Sequence, residues 1–170
     1  VLIKAGAKID KVDIYGRTAV HHAAMRGDGK TIAFLAQHGA KLDKVDNEGK
    51  SAVILAVESD QPGSLLALYN GGADIDLKDI DGNTALHKAA SKRQIQNIRL
   101  LLEWGADPKI LNDDLETAFM VCQSQKKLAS KACTLAFKEG GKSEEIHALK
   151  FLSHVWGMEG ELTVREQVVN

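Results

Sequence analysis

The chain repeats itself every 33 residues. Gly-Ala pairs start at Gly6, Gly39, Gly72 and Gly105. A second series keeps the same register: Gly16-Arg17-Thr18-Ala19, Gly49-Lys50-Ser51-Ala52, Gly82-Asn83-Thr84-Ala85 and Leu115-Glu116-Thr117-Ala118. Asp13, Asp46, Asp79 and Asn112 form a third, and Ala23, Ala56, Ala89 and Cys122 a fourth. Periods of roughly 20–50 residues mark stacked-repeat architectures. A unit this short cannot bury its own apolar faces, so the next unit supplies the missing wall and stability becomes a sum over units and junctions. An elongated array is expected, not a globule around a central pocket.

Each unit has a physical reading. Thr18, Ser51, Thr84 and Thr117 are good helix N-caps, because a hydroxyl accepts a bond from an orphan N–H. Short helices are expected over 18–26, 51–59, 84–92 and 117–124. Their packed faces carry small residues, Ala23 and Ala24, Ala56 and Val57, Ala89 and Ala90, which let helices approach closely. A tight turn follows, with Gly27 and Gly29 in one unit and Asp60, Gln61 and Pro62 in the next; proline suits a helix start. Second helices carry apolar stripes: Ile32, Phe34 and Leu35; Leu65, Leu66 and Leu68; Ile98, Leu101 and Leu102. Gly39, Gly72 and Gly105 stand where a left-handed residue ends a helix. The polar stretches after each Gly-Ala pair read as turn-rich projecting loops.

The 33-residue step, the Asp-x-x-Gly-x-Thr opening, Leu86-His87-Lys88-Ala89-Ala90 and the closing Leu101-Leu102-Glu103-Trp104-Gly105-Ala106-Asp107 resemble ankyrin repeats. The resemblance covers residues 1 to about 125 well and 126–141 loosely. It implies an all-α ankyrin-repeat solenoid of helix-turn-helix units with projecting loops. A partial repeat at 1–12 precedes repeats at about 13–45, 46–78 and 79–111 and a degenerate one at 112–141, where Leu115 replaces the turn glycine. The family's Thr-Pro-Leu-His motif maps onto Thr18-Ala19-Val20-His21 and Thr84-Ala85-Leu86-His87. Its histidine is expected to bridge neighbouring turns. Ile54 and Met120 stand at the same place and leave their junctions to apolar packing. Alanine replaces the motif proline in every unit.

Both ends depart from the pattern. Residues 1–7 read as the tail of a second helix, so the chain is expected to be a fragment of a longer array. Residues 142–170 show no repeat. Within them Ile146, Leu149, Leu152 and Trp156 keep helical spacing after Glu144 and Glu145, which predicts a C-terminal amphipathic helix. Three readings of it stand: a cap on the open end of the stack, a detachable partner-binding helix, or the start of a following domain.

Composition excludes several function classes. The net charge is −1, whereas binding to phosphate backbones or anionic membranes needs a basic surplus. No run approaches the ~18 apolar residues of a membrane span, and no secretory signal opens the chain. The expected setting is cytoplasmic, with the nucleus as a second possibility. Cys122 and Cys133 make no C-x-x-C pair and read as two small apolar residues in reduced form, with a disulfide as the alternative.

No pattern of catalytic groups emerges. Gly27-Asp28-Gly29-Lys30-Thr31 ends like a phosphate loop, but Ala24 stands where the first glycine belongs and no strand precedes it. His21 and His22 are adjacent and point about 100° apart on a helix, a poor arrangement for a shared metal. His147 and His154 lie seven apart on one face of the expected tail helix, where a solvent-facing pair is the simpler reading. Loop aspartates recur because the unit recurs, as capping and turn residues. No enzyme activity, cofactor, metal or small-molecule substrate is expected.

What the resemblance implies is a protein-interaction scaffold or adaptor, binding a partner protein on the concave surface formed by the loops and first helices. The alternative is a regulatory or substrate-recruiting segment of a larger enzyme or channel. Aligned on the family, the recognition positions are Val12, Ile14, Tyr15, Arg17, Met25 and Arg26 in the first unit. They are Val45, Asn47, Glu48, Lys50, Glu58 and Ser59 in the second, and Lys78, Ile80, Asp81, Asn83, Ser91 and Lys92 in the third. Tyr15, Ile14 and Met25 are the candidate apolar anchors, with an acidic partner surface expected opposite Arg17 and Arg26. Whether Ile14 and Ile80 face a partner or pack on the adjacent loop stays open.

Overall fold

A computed structural model describes residues 8–124 and 129–140. Among the described residues eight helices follow one another in antiparallel pairs: α1 (Ala19–Arg26) and α2 (Gly29–Gln37), α3 (Ala52–Glu58) and α4 (Pro62–Asn70), α5 (Ala85–Ser91) and α6 (Ile95–Glu103), α7 (Ala118–Gln123) and α8 (Ala129–Gly140). First helices stack on first helices, α1 on α3, α3 on α5 and α5 on α7. The all-α repeat solenoid is what the 33-residue step predicts. Residues 1–7, the expected helix over 143–156 and His147 and His154 lie outside the described residues.

The capping chemistry explains the helix starts. Ser51 Oγ accepts the Ile54 N–H and Thr117 Oγ1 the Met120 N–H, both at 3.3 Å. Thr18 and Thr84 close a capping box with the histidine three residues on. Pro62 opens α4. Gly39, Gly72 and Gly105 lie at φ +81°, +82° and +90°, the left-handed region in which glycine has no Cβ penalty. Gly27 shares that geometry at φ +77°, and Asp60 and Arg93, one and two units later, adopt it without being glycine.

The core is one continuous column. Ala24, Ala56, Ala89 and Ala90 are fully buried between first helices, and Ile32, Leu65, Leu68, Ile98 and Leu101 close it from the second helices. Phe34 and Leu66, placed on the apolar stripes by their spacing, are about half exposed. Each lies one residue off a buried position, and a step of about 100° turns it out of the face. Small residues bring α2 against α4: a Cβ on Gly29 would sit 2.8 Å from the Gly63 carbonyl oxygen. The α4–α6 contact is looser. There Tyr69 and Trp104 stack with centroids 4.5 Å apart, and Gln94, the cap residue before α6, donates from Nε2 to the Val57 carbonyl on α3 at 2.9 Å.

Two expectations need correction. Met120 is 51% exposed and fills no packed junction among the described residues. Cys122 is buried as its place in the alanine series demands, yet it is disulfide-bonded and not a reduced thiol. The chain's other cysteine lies on α8, which packs against α7. That proximity arises only on folding, and the bond removes the thiol argument for a reducing compartment.

Candidate functional site

Between each second helix and the next first helix the chain projects as a finger, and one aspartate shapes each tip. Asp13 Oδ1 accepts the N–H groups of Tyr15 and Arg17, both at 2.9 Å. Asp46 Oδ1 does the same for Glu48 and Lys50, and Asp79 Oδ1 for Asp81 and Asn83. Asn112 holds Glu116 in this way in the fourth finger. These bonds keep the Asp13 carboxyl below its ordinary range, the Arg17 N–H being the largest cause. With the backbone fixed inward, the two residues after each aspartate, and after Asn112, are exposed: Ile14 and Tyr15, Asn47 and Glu48, Ile80 and Asp81, Asp113 and Asp114.

The second oxygen of each aspartate finds a side-chain nitrogen, and the source alternates. Asp13 takes His22 Nε2 at 2.9 Å, nine residues on in its own unit. Asp79 takes Lys88 Nζ at 2.6 Å over the same step. In the second unit Leu55 occupies that position, and Asp46 is reached from the preceding unit by Arg17 at 3.2 Å. Lys50, one unit after Arg17, finds Asp79 already engaged and turns to Glu48 at 2.8 Å and Glu58 at 3.1 Å. Burial pushes the Lys50 ammonium down, but these two carboxylates outweigh it and hold the group above its ordinary value.

His21 and His87 bridge units, as their motif implies. The Thr18 N–H donates to His21 Nδ1 at 3.1 Å, which leaves the proton on Nε2 to donate to the Lys50 carbonyl at 3.2 Å. Thr84, His87 and the Glu116 carbonyl repeat this at 3.3 and 3.0 Å. Burial lowers both imidazole pKa values. Ile54 is fully buried between them and makes its junction by packing alone.

This geometry divides the positions singled out in the sequence. Ile14 is 85% exposed, Ile80 67% and Tyr15 58%, so the isoleucines do not pack on the adjacent loop. Val12 and Val45 are exposed beside them, as are Glu48, Asp81, Arg26, Ser91 and Lys92; Met25, Glu58 and Ser59 are partly covered. Others are spent inside the array. Arg17 is bound to Asp46 and lies 5.5 Å over the Tyr15 ring, so it offers no free cation to an acidic partner. Asn47 Nδ2 donates to the Ile14 carbonyl, Asn83 Oδ1 accepts from Asn112 Nδ2, and Lys78 Nζ reaches the Leu111 carbonyl at 2.9 Å. The sequence reading missed the fourth row, where Leu111, Leu115 and Met120 are exposed. Extending the alignment by one more 33-residue step would have found Leu111, whereas Leu115 and Met120 fall on the glycine and histidine series.

The remaining surfaces carry less chemistry. A groove of about 580 Å³ lies between α2 and α4, lined by Gly29, Ala33, Gly63, Leu66 and Ala67 and away from the fingers. Among the described residues no group of three or more His, Cys, Asp or Glu is placed to hold a metal ion. No helix among them is long and apolar enough to cross a membrane.

Comparison with known proteins agrees with this architecture. The family model described as ankyrin repeats (3 copies) matches residues 1–79 and again 60–140. Among curated proteins, none matches the chain.

Proposed function

Because the chain belongs to the ankyrin-repeat family, whose domains are generally protein–protein interaction modules and typically non-catalytic, we propose that it is a scaffold binding a partner protein across its finger tips and first helices. One observation carries the reading: each finger backbone is locked by an aspartate that accepts two backbone N–H groups, while Ile14, Tyr15 and Ile80 are left exposed at the tips. Rigid presentation of apolar anchors lowers the ordering cost of association, and large apolar or aromatic residues with charged neighbours fit the hot-spot pattern. The residues offered are Val12, Ile14, Tyr15, Met25, Arg26, Val45, Glu48, Ile80, Asp81, Ser91 and Lys92. Asp81, Asp113 and Asp114 stand exposed with no ion pair among the described residues. The partner is therefore a segment with apolar side chains over the first finger and lysine or arginine over the third and fourth.

The test is capture of partners from a lysate by the wild type and by a Tyr15→Ala, Met25→Glu double variant whose helicity circular dichroism has confirmed. A protein held by the wild type and lost by the variant supports the reading. Equal retention by both removes the finger surface from it.

A further inference from the structure

Neighbouring fingers are tied by one backbone bond per junction. The N–H of Asn47 donates to the Tyr15 carbonyl at 2.9 Å, that of Ile80 to Glu48 at 3.2 Å, and that of Asp113 to Asp81 at 3.1 Å. Each accepting residue is followed by a glycine, and the glycine is what lets the next finger come so close. A Cβ on Gly16 would lie 2.5 Å from Asn47 Oδ1, on Gly49 2.9 Å from the Ile80 nitrogen, and on Gly82 2.8 Å from the Asp113 nitrogen. Leu115 holds the equivalent place in the fourth finger. It keeps the left-handed backbone at φ +60° that a leucine adopts only with strain, and its side chain is 74% exposed.

A second ladder runs beside the first. Asp10 Oδ1 accepts the Lys41 N–H at 3.0 Å, Asp43 Oδ1 the Asp74 N–H at 2.8 Å, and Asp76 the Asp107 N–H at 3.1 Å. The next residue in this series is Lys109, which has no acceptor to offer. One step beyond the fourth finger the sequence carries Glu145, Ala148 and Lys150 where a finger has Asp, Gly and Thr.

We infer that the fourth unit is a terminal rung, on which Leu115 and Lys109 close the edge against any further finger. A finger seated in register would have to occupy the space of the Leu115 side chain to reach the Asp114 carbonyl, and it would meet an ammonium where its neighbours meet a carboxylate. The block holds equally for a second copy stacking head to tail, whose Ile14 would fall on Leu115. On the function proposed above, partners therefore engage the finger tips and first helices and do not extend the stack at this edge.

Moving the two terminal residues into the middle of the full chain, and removing them from its edge, tests this. Gly82→Leu is expected to speed amide exchange at Asp113 by more than about tenfold as the fourth finger lifts, and to lower Tm. Asp76→Lys does the same at Asp107. Leu115→Gly and Lys109→Asp leave Tm unchanged or raise it, since both residues are exposed. Should Gly82→Leu abolish folding, Asp76→Lys carries the mid-array test, because it alters a partly exposed turn. Unchanged exchange at Asp113 or Asp107 in the mid-array variants would overturn the inference. So would a Leu115→Gly variant that loses as much Tm as Gly82→Leu, because Leu115 would then be packed against the chain.

Discussion

Arg17 of one unit and Asp46 of the next, paired at 3.2 Å with the carboxylate side chain only 1% exposed, do the work that Asn83 and Asn112 do two junctions further on at 3.1 Å. Both pairs span 29 residues, and both tie a finger to the one that follows. Arg17→Asn leaves the buried Asp46 carboxylate without its cation. Asp46→Asn sets an amide donor against the Arg17 guanidinium. Each single change is expected to cost about 1–3 kcal/mol. The double variant recreates the Asn–Asn pair and is expected to cost less than the sum by about 1 kcal/mol or more. Urea unfolding of the four proteins measures this; strict additivity would mean that the pair is not coupled.

The pH dependence follows from His21 and His87. Both have pKa values lowered by burial, and both use an unprotonated Nδ1 to accept a threonine N–H. The unfolded chain takes up protons near the ordinary histidine value of about 6.5, while the folded chain does so only at lower pH. Unfolding therefore binds protons in that window. These residues add no pH dependence above it, and stability falls as the pH drops through 6.5 toward the folded values. His21→Ile, which copies the residue at 54, is expected to flatten part of the slope while lowering stability at neutral pH. Denaturant midpoints between pH 5 and 8 check it, and an unchanged slope would exonerate His21.

How much of this was legible in the sequence depends on whether a feature recurs. Helix starts at Ala19, Ala52, Ala85 and Ala118 could be placed to within a residue because a cap hydroxyl precedes each in register. The finger turns could be read because their aspartate acts on residues two and four places on. The partners of the second carboxylate oxygen could not. His22, Arg17 and Lys88 each satisfy an aspartate, but which one does so depends on Leu55 vacating a position and on a distance across units. The Cys122 bond is likewise set by the packing of α7 on α8. Of the recognition positions, side-chain hydrogen bonding within the array separates Asn47 and Asn83 from Ile14 and Ile80, and sequence spacing alone treats them as equals.

Restoring the motif proline should help where there is room for its ring. Ala19 is exposed and is the first residue of α1, whereas Ala52 and Ala85 are fully buried. Thr18 before it is extended at φ −88°, ψ 174°, the conformation that a following proline favours. The first helical N–H needs no intrahelical partner. Ala19→Pro is expected to stabilise by about 0.4–1 kcal/mol through the unfolded chain, and Ala85→Pro to gain less or to destabilise. Thermal unfolding followed by circular dichroism distinguishes them.

The finger tips allow binding and stability to be separated within one unit. Ile80 is 67% exposed, and its side chain takes no part in the finger ladder, where only its N–H is used. Ile80→Lys should therefore change stability by no more than about 0.5 kcal/mol. Asn83, three residues on, is partly buried and bonded to Asn112, so Asn83→Ala should cost about 1 kcal/mol or more. Affinity for a captured partner should move the other way. An apolar anchor exchanged for a charge loses about tenfold or more, while Asn83→Ala changes affinity little so long as the chain stays folded. Isothermal titration alongside urea unfolding gives both quantities for both variants. If Ile80→Lys binds as the wild type does, the partner does not touch the third finger tip, and the contact surface contracts to Ile14, Tyr15 and the first helix.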